Sequence, residues 1–255
     1  MFPEFDSISQ RIISNFRVYG VNATFRKSLR KIKVTKTPKQ VSIQELVSNG
    51  INVHKSSKLM CEEYFGVDFQ PYSDEADIWF NNWMRWQSTQ DLEAPIEWNS
   101  GSNLLKFLFM VVRHMKPNIV VETGTANGAS AAAISAALEL NKNGILNTFD
   151  VYNFELCLVP IESRKYIQRH IISKLDSMEK FLSNLGEERK GTYLFFHDSN
   201  HSFEHQSWEY MLARKFNFDV LVSDDVDDSQ AFLDYKSAKK IACTDGPKLI
   251  GIAEI

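Results

Sequence analysis

Three acidic side chains at the ends of two apolar runs have the type and spacing to do chemistry. Thr192-Tyr-Leu-Phe-Phe-His197 leads into Asp198, and Phe218-Asp-Val-Leu-Val-Ser223 leads into Asp224 and Asp225. If the two runs are neighbouring strands, the three carboxylates meet at one spot. Carboxylates that meet repel one another unless a cation neutralises them. An oxygen-only set without cysteine selects a hard ion, Mg2+, Mn2+ or Ca2+, and such an ion lowers the pKa of a hydroxyl bound to it. His201 follows three positions after Asp198, where an imidazole suits proton removal near neutral pH, and His205 lies one helical turn further on. A plainer reading keeps Asp224 and Asp225 as a strand end, Asp227 and Asp228 as the cap of the next helix, and His201 as a helix-start residue bonded to backbone.

A second group lies upstream, in Val120-Val-Glu-Thr-Gly-Thr-Ala-Asn-Gly-Ala-Ser130. The β-branched run reads as a buried strand, the glycines as a turn, and Ala129 to Leu140 as a helix without internal Gly or Pro. Gly124 and Gly128 stand where the backbone bends and approaches something closely. A ligand cradled there meets the amides of a helix N-terminus, with Thr125 and Ser130 beside it and the Glu122 carboxylate at the strand end. The spacing is not the dinucleotide fingerprint, because Ala126 replaces its second glycine. Ile145-Leu-Asn-Thr-Phe-Asp150 then ends another strand in a carboxylate, placed to accept both hydroxyls of a ribose.

The elements that position these groups alternate. Strands are expected near 119–123, 145–150, 170–174, 192–197, 218–223, 239–244 and 248–254, with helices at 102–115, 129–141, 161–169, 177–185, 203–216 and 228–236. That alternation predicts a parallel sheet covered by helices. Only Thr244-Asp-Gly-Pro247 separates the last two strands, too little for a crossover, so they form an antiparallel hairpin. Residues 1–95 read as a polar, aromatic extension and 96–255 as the α/β domain. Within the extension, Arg26 to Lys39 carries seven basic residues, a solvated linker or a patch for an anionic partner. Trp79, Trp83 and Trp86 share one helix face, as core, subunit contact or lid over a pocket.

The 255-residue chain is 44% hydrophobic and 24% charged, with a formal net charge of −3, which argues against a general nucleic-acid binder. Cys61, Cys157 and Cys243 lie too far apart for a zinc ribbon or a disulfide framework. The start lacks the basic and apolar runs of a signal peptide, and no apolar run approaches a membrane span. A cytoplasmic protein is expected.

The glycine turn resembles motif I of the class I S-adenosylmethionine (SAM)-dependent methyltransferases. The set Asp198, Asp224 and Asp225 resembles the metal ligands of the divalent-metal-dependent small-molecule O-methyltransferases, with D-x-x-H followed by D-D closer to the macrolide-sugar branch than to the catechol type. The resemblance covers residues 100–254. It implies a Rossmann-like doubly wound α/β fold, mostly parallel with a C-terminal hairpin, and SAM held by Glu122, Gly124, Thr125, Gly128, Ser130 and Asp150. It implies Mg2+ or a similar ion on the three aspartates, with Asp198 and His201 catalytic. In the catechol type a lysine thought to be the base stands where His201 stands here. The sugar-modifying relatives are thought to take their base from a more distal histidine, and none follows Asp225 in this chain. Leu175-Asp-Ser177 resembles the family's third motif with Leu175 in place of glycine. Asp176 and Ser177 therefore either meet the adenine or cap a helix. The acceptor is expected to be a small or carrier-linked hydroxyl compound such as a sugar or polyphenol, and the protein a possible homo-oligomer. A non-catalytic nucleotide-binding member of the fold and a dinucleotide oxidoreductase are the alternatives.

Overall fold

A computed structural model describes residues 40–172, 175–187, 189–246 and 248–255, with only the backbone at 175, 176, 186 and 187. The basic stretch up to Lys39 lies outside the described residues. Among them, eight strands form one sheet: β1 (Asn52–His54), β2 (Ile119–Thr123), β3 (Ile145–Asp150), β4 (Ile167–Ile171), β5 (Tyr193–His197), β6 (Val220–Ser223), β7 (Lys240–Asp245) and β8 (Lys248–Glu254). Their order is β1-β7-β8-β6-β5-β2-β3-β4. The β7–β8 and β8–β6 pairs are antiparallel and every other pair is parallel. The helices are α1 (Ile43–Ser48), α2 (Ser57–Phe65), α3 (Gln70–Gln87), α4 (Ser102–Met115), α5 (Ala129–Asn141), α6 (Leu175–Glu187), α7 (Phe203–Lys215) and α8 (Ala231–Asp234).

The central strands are apolar throughout because both faces are covered. Successive side chains go to opposite cores: Val120, Leu194, Phe196 and Val222 join α2 to α5 on one side. Val121, Phe195 and Leu221 join α1, α6, α7 and α8 on the other. Each such buried side chain contributes roughly 1.5–3 kcal/mol. The doubly wound α/β fold follows from that two-sided burial.

Strands 119–123, 145–150 and 248–254, and helices 102–115 and 129–141, have the expected limits. Two expectations shift. The helix expected over 161–169 is a 3-10 helix at Ile161–Tyr166, and the strand after it is Ile167–Ile171 rather than 170–174. This strand pairs only with β3, so its outer side is half exposed and lacks an apolar signature. The third difference is β1. Asn52–His54 pairs in parallel with β7 and extends the sheet from within the region read as an irregular extension. Three residues are too few to carry a periodic signal.

The tryptophan face lies on α3. Trp83 is buried and donates Nε1–H to the Leu158 carbonyl at 2.9 Å, while Trp79 stacks on Phe109 at 5.3 Å. Trp86 packs against the same core. The stripe is therefore core against α4, and none of the three lines the cavity described below.

Candidate active site

The register gathers the strand ends. Thr123 lies beside Phe149 and His197, and His197 beside Ser223. The next residue of each strand continues the ladder: Gly124 N–H donates to Phe149 O (2.8 Å), Asp198 N–H to Thr123 O (2.9 Å), and Asp224 N–H to His197 O (2.9 Å). Gly124, Asp150, Asp198 and Asp224 thus form one row at the carboxyl edge. Strand order reverses between β5 and β3 around β2, so this row lies at a topological switch point, where open α/β sheets bind ligands. A cavity of about 1130 Å³ opens there. Gly124, Thr125, Ser130, Asp150, Asp198, His201, Asp224 and Asp225 all line it.

The two motif glycines approach protein rather than empty space. Gly124 has φ +87°, and a Cβ there would collide with the backbone carbonyl of Asp198. Gly128 has φ +86°, and its Cβ would stand 2.9 Å from Val159. Their absent side chains let the β5 loop and the Leu156–Val159 segment close over the turn. Gly128 and Glu122 are not among the residues lining the cavity. Ala126, where a dinucleotide fingerprint has glycine, takes a left-handed φ of +44°.

Asp150 faces the cavity, and its carboxylate holds the turn in shape. One oxygen accepts from the amides of Thr125 and Ala126, each at 2.9 Å, and the other accepts from Tyr152 N–H at 2.8 Å. A carboxylate has about four acceptor positions, so one remains for a ligand hydroxyl. Ser177 is exposed on α6 and does not line the cavity; the Asp176 side chain lies outside the described residues.

Glu122 is fully buried behind the turn, accepting from the Thr148 hydroxyl, while its Oε1 has no hydrogen-bond partner among the described residues. Burial pushes its carboxyl up to about 7, against the hydroxyl hydrogen bonds that lower it. A raised folded-state pKa gives stability that is fully present below the ordinary carboxylate range and lost as pH climbs through about 7. Glu122→Gln is expected to abolish that slope and, at pH 8, to recover up to roughly 3 kcal/mol of stability relative to the parent chain. Urea unfolding of both proteins at pH 5 and pH 8 checks this; parallel pH dependences would contradict it.

The acidic side chains divide into two groups. Asp198, which accepts from Ser100 Oγ at 3.3 Å, and Asp224 are both held well above the usual carboxylate range by burial and by neighbouring carboxylates. Asp225 (φ +47°) turns the chain outward. Its Oδ2 lies 3.2 Å from His201 Nδ1 and 3.0 Å from Lys248 Nζ, and Lys248 also reaches Asp228 at 2.9 Å. Among the described residues, the group whose ligand atoms converge within 4.8 Å is His201, Asp225 and Asp228. Asp198, Asp224 and Asp225 share the cavity without converging so closely.

A further network escaped the sequence reading. Glu209 on α7 is buried at the cavity wall and accepts from Thr123 Oγ1 (2.6 Å) and Ser199 Oγ (3.0 Å). Two rings also contact it, His205 through Nε2 (2.9 Å) and His197 through Nδ1. Burial alone would raise its carboxyl, but the two histidines hold it well below the usual range. The i, i+4 spacing of His205 and Glu209 in an expected helix was the available signal. His205 is thereby placed as a partner of Glu209 rather than of Asp225.

No family model matches the chain, and no curated protein matches it. Solved structures do. One is a Podospora anserina methyltransferase bound to S-adenosylhomocysteine (SAH), at 13% identity, TM-score 0.49, over 69% of this chain and 88% of that one. Another is an O-methyltransferase from Bacillus cereus in complex with SAH, at 13% identity, TM-score 0.45, over 69% and 90%. A third is the SAM-bound O-methyltransferase TomG of Streptomyces achromogenes, at 16% identity, TM-score 0.43, over 61% and 81%. The chain is similar to these methyltransferase structures in fold. At these identities the likeness is one of fold, and the chemistry has to be argued from the cavity.

The residues present fit both implied groups. For SAM, the cavity has the volume, the helix N-terminus and the strand-end carboxylate of Asp150. For a divalent ion, the donors are hard carboxylate oxygens with one imidazole nitrogen. No helix among the described residues is long and apolar enough to cross a membrane.

Proposed function

We propose that the protein is a SAM-dependent O-methyltransferase acting on a hydroxyl of a small or carrier-linked molecule, with help from a divalent cation. The observation that carries this reading is the convergence of the glycine turn, Asp150, Asp198, Asp224, Asp225 and His201 on one cavity at the switch point of the sheet. When bound, SAM supplies an electrophilic methyl group and the cation supplies positive charge beside the acceptor oxygen.

The chain's own contribution is placement and proton handling. The turn from Gly124 to Ser130 and the N-terminus of α5 receive the polar end of SAM, and Asp150 receives the ribose while keeping the turn amides in register. Asp198, Asp224 and Asp225 would hold the cation. His201, its Nδ1 held toward Asp225, accepts the hydroxyl proton on its imidazole, and the Asp225 carboxylate stabilises the imidazolium. Trp98 and Tyr152, 5.9 Å apart by ring centroids, wall the mouth of the cavity and exclude water from the acceptor. Residues 1–95 would form an extension whose later part, through Trp98 and Ser100 just beyond it, leads into this wall.

Calorimetry with SAH tests the reading. Binding with a Kd in the micromolar range is expected, and it should be weakened at least tenfold by Asp150→Ala. No heat with SAH or SAM at millimolar concentration would remove the cofactor assignment and the function with it.

A further inference from the structure

Lys248 opens β8 and is the one lysine or arginine among the described residues lining the cavity, set against several carboxylates. Its Nζ lies 3.0 Å from Asp225 Oδ2 and 2.9 Å from Asp228 Oδ1, bridging the two acids. His201 Nδ1 approaches the same Asp225 oxygen at 3.2 Å. These are two of the acids whose donor atoms, together with His201, come within 4.8 Å of one another. An ammonium therefore stands on Asp225, one of the three acids expected to share a cation, and on Asp228 beside it.

We infer that Lys248 is an intramolecular competitor for the divalent cation, so that metal binds only when the ammonium leaves Asp225. The inference rests on the metal-assisted part of the proposed function and not on SAM binding. An ammonium and a divalent ion on one carboxylate oxygen would sit about 3–4 Å apart, where like charges repel strongly at the dielectric of a partly enclosed site. The two occupants exclude each other. Lys248 is tethered: Asp245 pairs with it across the hairpin, and Gly251 pairs with Ser223 of β6, which fixes its backbone beside the Asp225 turn. Its side chain is 38% exposed and has a flexible four-carbon stem, so it has an open route to solvent. The consequence is a threshold. At low metal the carboxylates are neutralised internally and the cavity keeps its shape. Above the threshold the ion takes Asp225 and the lysine swings out, so the single charge beside His201 is exchanged for a double one.

The test is Mn2+ binding followed by electron paramagnetic resonance on the full chain, with Lys248→Met (an unbranched side chain one atom shorter, without charge), Lys248→Gln and Lys248→Arg. Lys248→Met and Lys248→Gln are expected to bind Mn2+ at least tenfold more tightly than the parent, a gain of about 1.4 kcal/mol. Lys248→Arg should stay within about threefold. Circular dichroism melting confirms that each variant is folded, and two neutral variants guard against the loss of one. Equal or weaker Mn2+ binding by both neutral variants overturns the inference. If the parent binds Mn2+ and the neutral variants do not improve on it, the metal site stands and the competition falls. If neither parent nor variants take up Mn2+ at millimolar concentration, competition and metal assistance fall together, and SAH binding in the same samples still decides the cofactor assignment.

Discussion

Asp224→Asn will lower transfer of labelled methyl from SAM to a hydroxyl acceptor by at least about 10³-fold, equivalent to roughly 4 kcal/mol of transition-state stabilisation. SAH affinity will stay within about threefold, because Asp224 follows β6, which β5 separates from β2 and the glycine turn proposed to receive the nucleotide. The same substitution will not lower the melting temperature and is expected to raise it. Asp224 is held well above the ordinary carboxylate range by burial and by the adjacent Asp225, so the charged form is resisted by the fold. An isosteric amide removes that conflict. Loss of turnover together with retained or increased stability marks a group kept for chemistry at a cost to the fold. Turnover within tenfold of the parent would remove Asp224 from the mechanism.

Glu209→Ala carries the largest expected stability effect, a loss of about 3–5 kcal/mol in urea unfolding at pH 7. The carboxylate takes donors from β2, the β5 strand end, the loop after it and its own helix: Thr123, His197, Ser199 and His205. Removing it takes a shared acceptor from the buried His197 ring, the half-buried His205 ring and two hydroxyls. Glu209→Gln keeps the volume and one acceptor oxygen, so it should lose less. The pH dependence runs opposite to that of Glu122. A carboxyl depressed in the folded state adds stability that is in place above the ordinary carboxylate range and is lost as pH falls through its folded value. The parent should therefore lose stability faster than Glu209→Gln below about pH 4. A loss under 1 kcal/mol for Glu209→Ala would show that the network is not a structural hub.

Much of this architecture is written locally. Ile119 to Thr123, followed by a glycine turn and an alanine helix, sets strand, bend and helix within a dozen residues, and the observed limits agree. The row of strand-end acids was legible for the same reason, since each ends its own apolar run. What the sequence hides is pairing at a distance. Lys248 reaches Asp225 because β8 runs back beside β6, a fact of sheet order that no spacing between residues 225 and 248 reveals. The argument that clustered carboxylates need a positive charge was physically sound, yet it looked only to an external ion. Glycines 124 and 128 were expected where the backbone bends and approaches something closely, and what they approach, the Asp198 carbonyl and Val159, comes from distant parts of the chain. The edge strand Ile167–Ile171 lacks an apolar signature because it has one neighbour, and β1 is too short to carry a periodic one.

Asn127, inside the glycine turn, is completely buried, and its side-chain amide ties down a distant stretch of chain. Its oxygen accepts from the amides of Glu93 and Ala94, and its nitrogen donates to Ala94 O and Asn99 Oδ1. The segment it fastens continues into Trp98 and Ser100, which line the cavity opposite the turn. The glycine turn and the stretch of chain that runs into Trp98 and Ser100, both of which border the cavity, are thus stitched together by one amide.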